Sequence, residues 1–336
     1  MADSNYHSSE ERKTDKIKEI TEKLEEGVKE LFESDKYRDY LKTISQFYRY
    51  SLNNTILIAM QKPDATLVAG FKQWENNFER HVKKGEKGIR ILAPSPYTKK
   101  VAVEKVDPVT KEIMLDQNGN PIKEETEIKM TAYRIVSVFD ISQTEGKPLP
   151  QMGVTELTDN IDEYEVFIEA LKQSVSVPVS FENISGAANG YYNRLTDSIT
   201  IKTGMSESQT VKTMIHEIAH SVLHNNKESE SIKKDRQTKE VEAESVAYVV
   251  CQHFGIDTSD YSFGYIAGWS SGRETSELKQ SLGTIQNTAS KLISNIENKI
   301  PEIRKDIQLK ENKNVPEYVT GDDDKPEIEQ TAGMRM

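Results

Sequence analysis

In the run His216-Glu217-Ile218-Ala219-His220, two imidazoles stand four residues apart with a carboxylate beside the first. Positions four apart share one face of a helix, so both rings can turn towards a single divalent ion. Glu217 lies about 100° round from His216, close enough to take a proton from a water on that ion without ligating it. Zinc lowers the pKa of such a water towards about 7, and a carboxylate base beside it equips the water to attack a carbonyl carbon. This is the chemistry of the HExxH peptidase motif. The motif is short, so its meaning turns on a third ligand.

Residues 225–238 are almost wholly polar, as a connection would be, and Lys239-Glu240-Val241-Glu242-Ala243-Glu244 then opens a second helical pattern. Glu240 is the expected third ligand. Glu244, four residues on, is placed to accept the second ring hydrogen of a ligand histidine. Glu242 falls about 200° round from Glu240 and should face elsewhere. His224 lies a further turn along its helix, too far to share the ion. Cys251 reads as a small buried hydrophobe. The strand-like Ser198–Lys202, directly before the HEIAH helix, is the expected edge for pairing a substrate backbone, and Tyr265 the expected donor to a carbonyl oxyanion.

These groups need elements to hold them. Residues 12–33 and 36–60 read as helices, and short apolar runs between Gly, Pro and charge clusters after Pro63 read as strands. Asn118-Gly119 marks the turn of a protruding hairpin over 101–130, followed by a strand over 132–141. The Gly- and Pro-rich stretch 145–160 marks a domain boundary. A helix over 160–174, a hairpin turning at 194–197, and a capping box at Ser206 and Gln209 lead into the HEIAH helix. The pattern predicts an α+β protein: residues 1–30 a charged helix or flexible segment, 31–150 a small first domain, 155–300 a second domain, and 301–336 a disordered acidic tail.

Composition limits the alternatives. A single cysteine excludes an internal disulfide or a thiolate cluster, so a metal must rest on His and carboxylate. No apolar run is long enough to cross a bilayer and the N-terminus lacks the apolar stretch of a signal peptide, which predicts a cytoplasmic protein with no membrane partner. The net charge is −11, yet residues 36–100 hold thirteen Lys/Arg against five Asp/Glu, a local +8 that leaves −19 for the remainder.

Two blocks resemble one family. The stretch YSLNNTILIAMQKPDATLVAGFKQWENNFERHVKKGEKGIRILAP, followed by VFDISQTEG, is similar to the single-stranded-DNA-binding domain of ArdC-type antirestriction proteins. HEIAH, EVEAESVA and YIAGWSSGRETSELKQSLGTIQNTASKLI resemble the metallopeptidase domain that follows in that family. Together the likeness spans roughly residues 30–300. It implies a small N-terminal single-stranded-DNA-binding domain and a zincin-like peptidase domain of the gluzincin type, with Zn2+ held by His216, His220 and Glu240, and Glu217 as base. It also implies a role in transfer of mobile elements, and an unidentified protein substrate. Single-strand binders combine a positive groove with aromatic platforms; Lys72, Trp74, Arg80, Lys83, Lys84, Lys87 and Arg90 are the expected DNA contacts. The competing reading is a non-catalytic protection factor in which zinc is purely structural.

Overall fold

The structure, a computed structural model, describes residues 2–32, 34–149, 161–223, 234–261 and 263–313. Three helices open the chain: α1 (Ala2–Glu30), α2 (Ser34–Gln46) and α3 (Leu52–Gln61). Charge dominates α1, yet Ile20, Leu24 and Val28 recur every four residues and are buried. The stretch expected to be a charged helix or flexible segment is thus a helix, docked on the core through these positions. One apolar stripe is enough to dock a helix whose other faces are solvated.

Next come β1 (Val68–Gly70), α4 (Phe71–Phe78), β2 (Arg80–Val82), β3 (Ile89–Glu104), β4 (Lys123–Asp140) and β5 (Thr144–Gly146). One sheet has the order β1-β4-β3 and a second pairs β2 with β5. β3 and β4 stay in antiparallel register from Ile89 opposite Val138 out to Glu104 opposite Lys123, forming the protruding hairpin. The outer edge of β3 is satisfied at its base by side chains of α3. The Asn54 amide donates to the Leu92 carbonyl (2.9 Å) and accepts from its N–H (2.8 Å). Gln61 does the same with Arg90, at 2.9 Å in each direction. Two amides on one helix thus stand in for a strand and blunt an open edge. Asp140 closes the end of β4, accepting the N–H groups of Thr66 (2.8 Å), Leu67 (3.1 Å) and Ser142 (2.9 Å).

The second half comprises α5 (Ile161–Gln173), β6 (Val179–Glu182), β7 (Gly190–Asn193), β8 (Ser198–Lys202), α6 (Glu207–Leu223), α7 (Arg236–His253), α8 (Ile266–Ser270) and α9 (Thr275–Lys313). β8 lies between a parallel β6 and an antiparallel β7. The mixed α+β class is as expected. The helix α9 runs through Pro301, where a disordered tail was expected to begin. A proline inside a helix costs about 3 kcal/mol, and here Ile303 beyond it is buried against the core.

One large apolar cluster joins the N-terminal helices to this half: Leu24, Tyr37, Leu41 and Ile44 share it with Val211, Ile215, Val246 and Leu282. A smaller cluster of Phe47, Ile58, Ala65, Val68, Ile89, Ile91 and Val138 fills the first sheet. Among the described residues no helix is long and apolar enough to cross a membrane. His224, part of the 145–160 boundary and the chain after 313 lie outside the described residues.

Candidate metal centre and its groove

The two histidines arrive on α6 because its other face is committed to the core: Val211, Met214, Ile215, Ile218 and Ala219 are buried. Ser206 caps the helix, its hydroxyl accepting from the Gln209 N–H at 3.3 Å. The Gln209 side chain instead donates to Thr213, so only that half of the expected capping box forms. Glu240 arrives on α7, which is capped by Asp235 accepting from Thr238 N–H at 2.7 Å. Arg273 holds Asp235 at 2.6 Å, which draws its pKa below the usual carboxylate range.

His216 Nε2 and His220 Nε2 are 3.1 Å apart, and Glu240 Oε2 lies 3.8 Å from the first and 3.5 Å from the second. Tetrahedral ligands about 2.0–2.1 Å from a zinc ion stand about 3.3–3.4 Å from one another. The three donors therefore fit such an ion in both chemistry and spacing. Among the described residues they are the one group of three or more His, Cys, Asp or Glu donors so gathered.

The other two carboxylates of α7 have different partners. Glu242 is fully buried, held by Lys234 Nζ at 2.6 and 2.8 Å and by the Ser281 hydroxyl at 2.7 Å. It faces away from the site, as its place on the helix requires. Glu244 accepts from the Tyr265 hydroxyl, so the bond it makes is to Tyr265, where a ligand histidine was expected. Glu217 is buried and accepts a backbone hydrogen bond from Tyr192 on β7. Burial raises the Glu217 pKa, with the Glu240 charge adding to the rise and His220 opposing it. Burial lowers His216 to about 4, reinforced by His220; a neutral ring is the form that can ligate. The bond to His220 lowers Glu240, and burial raises both Glu244 and Tyr265.

A groove passes the centre on both sides. One arm, about 310 Å³, is lined by Gln209, Lys212, Thr213, Glu244, Asp260 and Tyr261; the other, about 610 Å³, by Tyr191, Arg194, Arg236, Lys239 and Glu240. Both include Gly190, His216 and Glu217. The strand beside the groove is β7. This corrects the choice of Ser198–Lys202, which is the central strand of its sheet and has both edges paired. Gly190 lets β7 lie close on α6, since a Cβ there would stand 2.8 Å from Thr213 Cγ2. Lys212, missed in the sequence, is buried one turn before His216 and paired with Asp260 at 2.6 Å. Its spacing of four from His216 was the available signal.

The expected DNA contacts divide. Trp74 is fully buried and its Nε1 donates to the Phe139 carbonyl at 2.9 Å, so it is a core residue and the stacking role is corrected. Arg80 is spent on β5, donating to Thr144 and to the carbonyls of Gly146 and Lys147. Lys83 donates to the Ser142 carbonyl at 2.9 Å. Lys72, Lys84, Lys87 and Arg90 are exposed. The exposed aromatics nearby are Phe71 (47% exposed) and Tyr133 (54% exposed). Phe71 packs edge-on to Phe139 at 6.2 Å. Tyr133 and Phe139 share one face of β4 with Ser137, a period of two readable in the sequence.

Residues 10–139 match the family described as the N-terminal domain of anti-restriction factor ArdC. Residues 172–256 match the M78 peptidase family, described as the IrrE N-terminal-like domain. Uncharacterized protein pXO2-81 of Bacillus anthracis is 31% identical over 333 residues, taking in 90% of this chain and 55% of the relative. The chain thus spans about half the length of that relative. The metal-free crystal structure of the antirestriction ArdC protein from R388 plasmid is 20% identical, with a TM-score of 0.42 over 74% of this chain and 86% of that one. Its Mn(II)-bound structure is 18% identical, with a TM-score of 0.41 over 75% and 85%.

Proposed function

This chain joins an N-terminal domain of the ArdC type to an M78 peptidase-like domain, and from that premise we propose that it is a mobile-element antirestriction protein acting in the cytoplasm as a zinc-dependent peptidase. The observation that carries the peptidase reading is the triangle of His216, His220 and Glu240 donors, 3.1 to 3.8 Å apart, with buried Glu217 on the next helical position. A purely structural site has no use for that carboxylate.

Zinc, when bound by those three donors, supplies Lewis acidity towards a carbonyl oxygen and acidifies a water. The rest falls to the chain's own groups. Glu217, aimed by the Tyr192 N–H, takes the proton of the attacking water and passes it to the departing amide nitrogen. Tyr265, on leaving Glu244, turns its one hydroxyl hydrogen to the carbonyl oxygen as charge gathers there. The β7 edge aligns the substrate backbone as an added strand.

The N-terminal domain would hold single-stranded DNA on the face that carries Lys72, Lys87, Arg90, Phe71 and Tyr133, with Lys84 at its rim. Exposed rings beside cations are what base stacking requires. The deciding experiment pairs metal analysis with a casein digest of the parent, His216→Ala and Glu217→Gln proteins. The proposal requires zinc in the parent, no zinc in the first variant, and zinc without proteolysis in the second; proteolysis by Glu217→Gln would refute it.

A further inference from the structure

The two arms of the groove differ in charge. In the smaller arm the one cation, Lys212, is neutralised by Asp260 at 2.6 Å and Glu244 adds a carboxylate. In the larger arm Arg194, Arg236 and Lys239 line one cavity whose two carboxylates are Glu240, already committed to the histidines, and the buried Glu217. Arg194 directly follows β7, and Arg236 stands one helical turn before Glu240 on α7. The cations therefore rise from both walls of the groove, the edge strand and the ligand-bearing helix. Arg194 and Arg236 are exposed, and neither forms an ion pair among the described residues. In a chain of net charge −11 such a cluster is a local exception.

We propose that this arm is a subsite for an acidic side chain of the protein substrate, so that the peptidase selects sites with Asp or Glu on one side of the scissile bond. The inference rests on the peptidase reading and names its substrate class. A guanidinium presents paired donors in the geometry of a carboxylate. Two of them, already solvated and outside any ion pair among the described residues, give up little when an incoming carboxylate binds. A phosphate backbone has the same charge, but β7 is the edge strand of its sheet among the described residues, and apart from the Tyr192 N–H held by Glu217 its outer backbone groups are in the register of an extended peptide. The opposite arm offers acid no counterpart, since its Lys212 is paired with Asp260 and Glu244 adds a carboxylate, so the preference has a direction along the chain.

The test uses zinc-loaded Glu217→Gln protein, which binds without turnover, and three fluorescein-labelled decapeptides alike except for a central Glu-Glu, Gln-Gln or Lys-Lys. Anisotropy should show the Glu-Glu peptide bound about tenfold more tightly than Gln-Gln at low salt, with the gap narrowing as salt rises. Adding Arg194→Glu and Arg236→Glu should reverse the order in favour of Lys-Lys; both sites are exposed, and Arg194→Gln with Arg236→Gln should erase the preference. Equal binding of the three peptides by a protein whose parent digests casein would overturn the inference and leave the peptidase reading intact. A preference that survives the charge reversal would overturn it too. So would displacement of the peptide by oligothymidine that the same reversal weakens, since the wall would then belong to nucleic acid. Acid preference in a protein whose parent cleaves nothing supports the subsite and sinks the peptidase reading alone.

Discussion

The hydroxyls of Tyr37 and Ser245 lie 2.8 Å apart in the interior, tying α2 near the start of the chain to α7, the helix that carries Glu240. Both residues are fully buried. Tyr37→Phe should cost about 1–2 kcal/mol, because the Ser245 hydroxyl is left in an apolar site. Denaturant unfolding measures this directly. By the same logic residues 155–313 expressed alone should not unfold cooperatively, since their core lacks Leu24, Tyr37, Leu41 and Ile44.

The three acidic residues of α7 should separate cleanly. Glu240→Gln should weaken zinc binding at least tenfold with little loss of stability. Glu242→Gln should leave the zinc content unchanged yet destabilise by about 3–5 kcal/mol, since Lys234 would remain beside an uncharged buried partner. Metal titration and unfolding of the two variants give opposite patterns, and a single shared pattern would contradict the assignment.

Gly190→Ala should damage activity more than folding. The new methyl would meet Thr213 Cγ2 at 2.8 Å and the Thr200 carbonyl at 3.1 Å, so β7 must move off α6. That shift drags the Tyr192 N–H away from Glu217. We expect kcat/KM on casein to fall about tenfold or more while the melting temperature drops only a few degrees.

Asp140 gives the fold a pH dependence. Burial alone would raise its pKa, but hydrogen bonds from Ser142, Thr66 and Leu67 outweigh it and leave the carboxyl below its ordinary value. The native state therefore binds fewer protons than the unfolded chain. Its contribution is complete above the ordinary carboxylate pKa of about 4 and disappears as pH falls through the lower native value. Asp140→Asn should cost about 1–2 kcal/mol at pH 7, and the gap between parent and variant should close as the pH is taken below about 4.

Phe71→Ala and Trp74→Ala should part in the same way. The first should weaken oligothymidine binding by about 1–3 kcal/mol with stability nearly unchanged. The second removes a buried indole and its bond to Phe139, costing about 3–5 kcal/mol of stability. Loss of affinity in Trp74→Ala at temperatures where it remains folded would point to the opposite assignment.

The legible parts of this site were the ones with local causes. His216 and His220 share a face because a helix repeats, and Glu242 turns away from Glu240 for the same reason. The illegible parts depended on partners far along the chain. The fate of Trp74 is set by a carbonyl at Phe139, and that of Glu244 by a hydroxyl at Tyr265. β8 could not be recognised as a central strand without knowing that β6 and β7 flank it. The sparse apolar stripe of α1 was outweighed by the surrounding charge until the face it docks on was known.

Helix α3 places Ile56, Leu57 and Ala59 in the large interior and Ile58 in the small one. It is a party wall between two rooms. Interiors are close-packed and do not absorb even a methylene freely, so a substitution at Ile58 is felt on the far side by the neighbours of Leu57. Mutations acceptable to one half are thereby filtered by the other, and the two must drift through evolution in step.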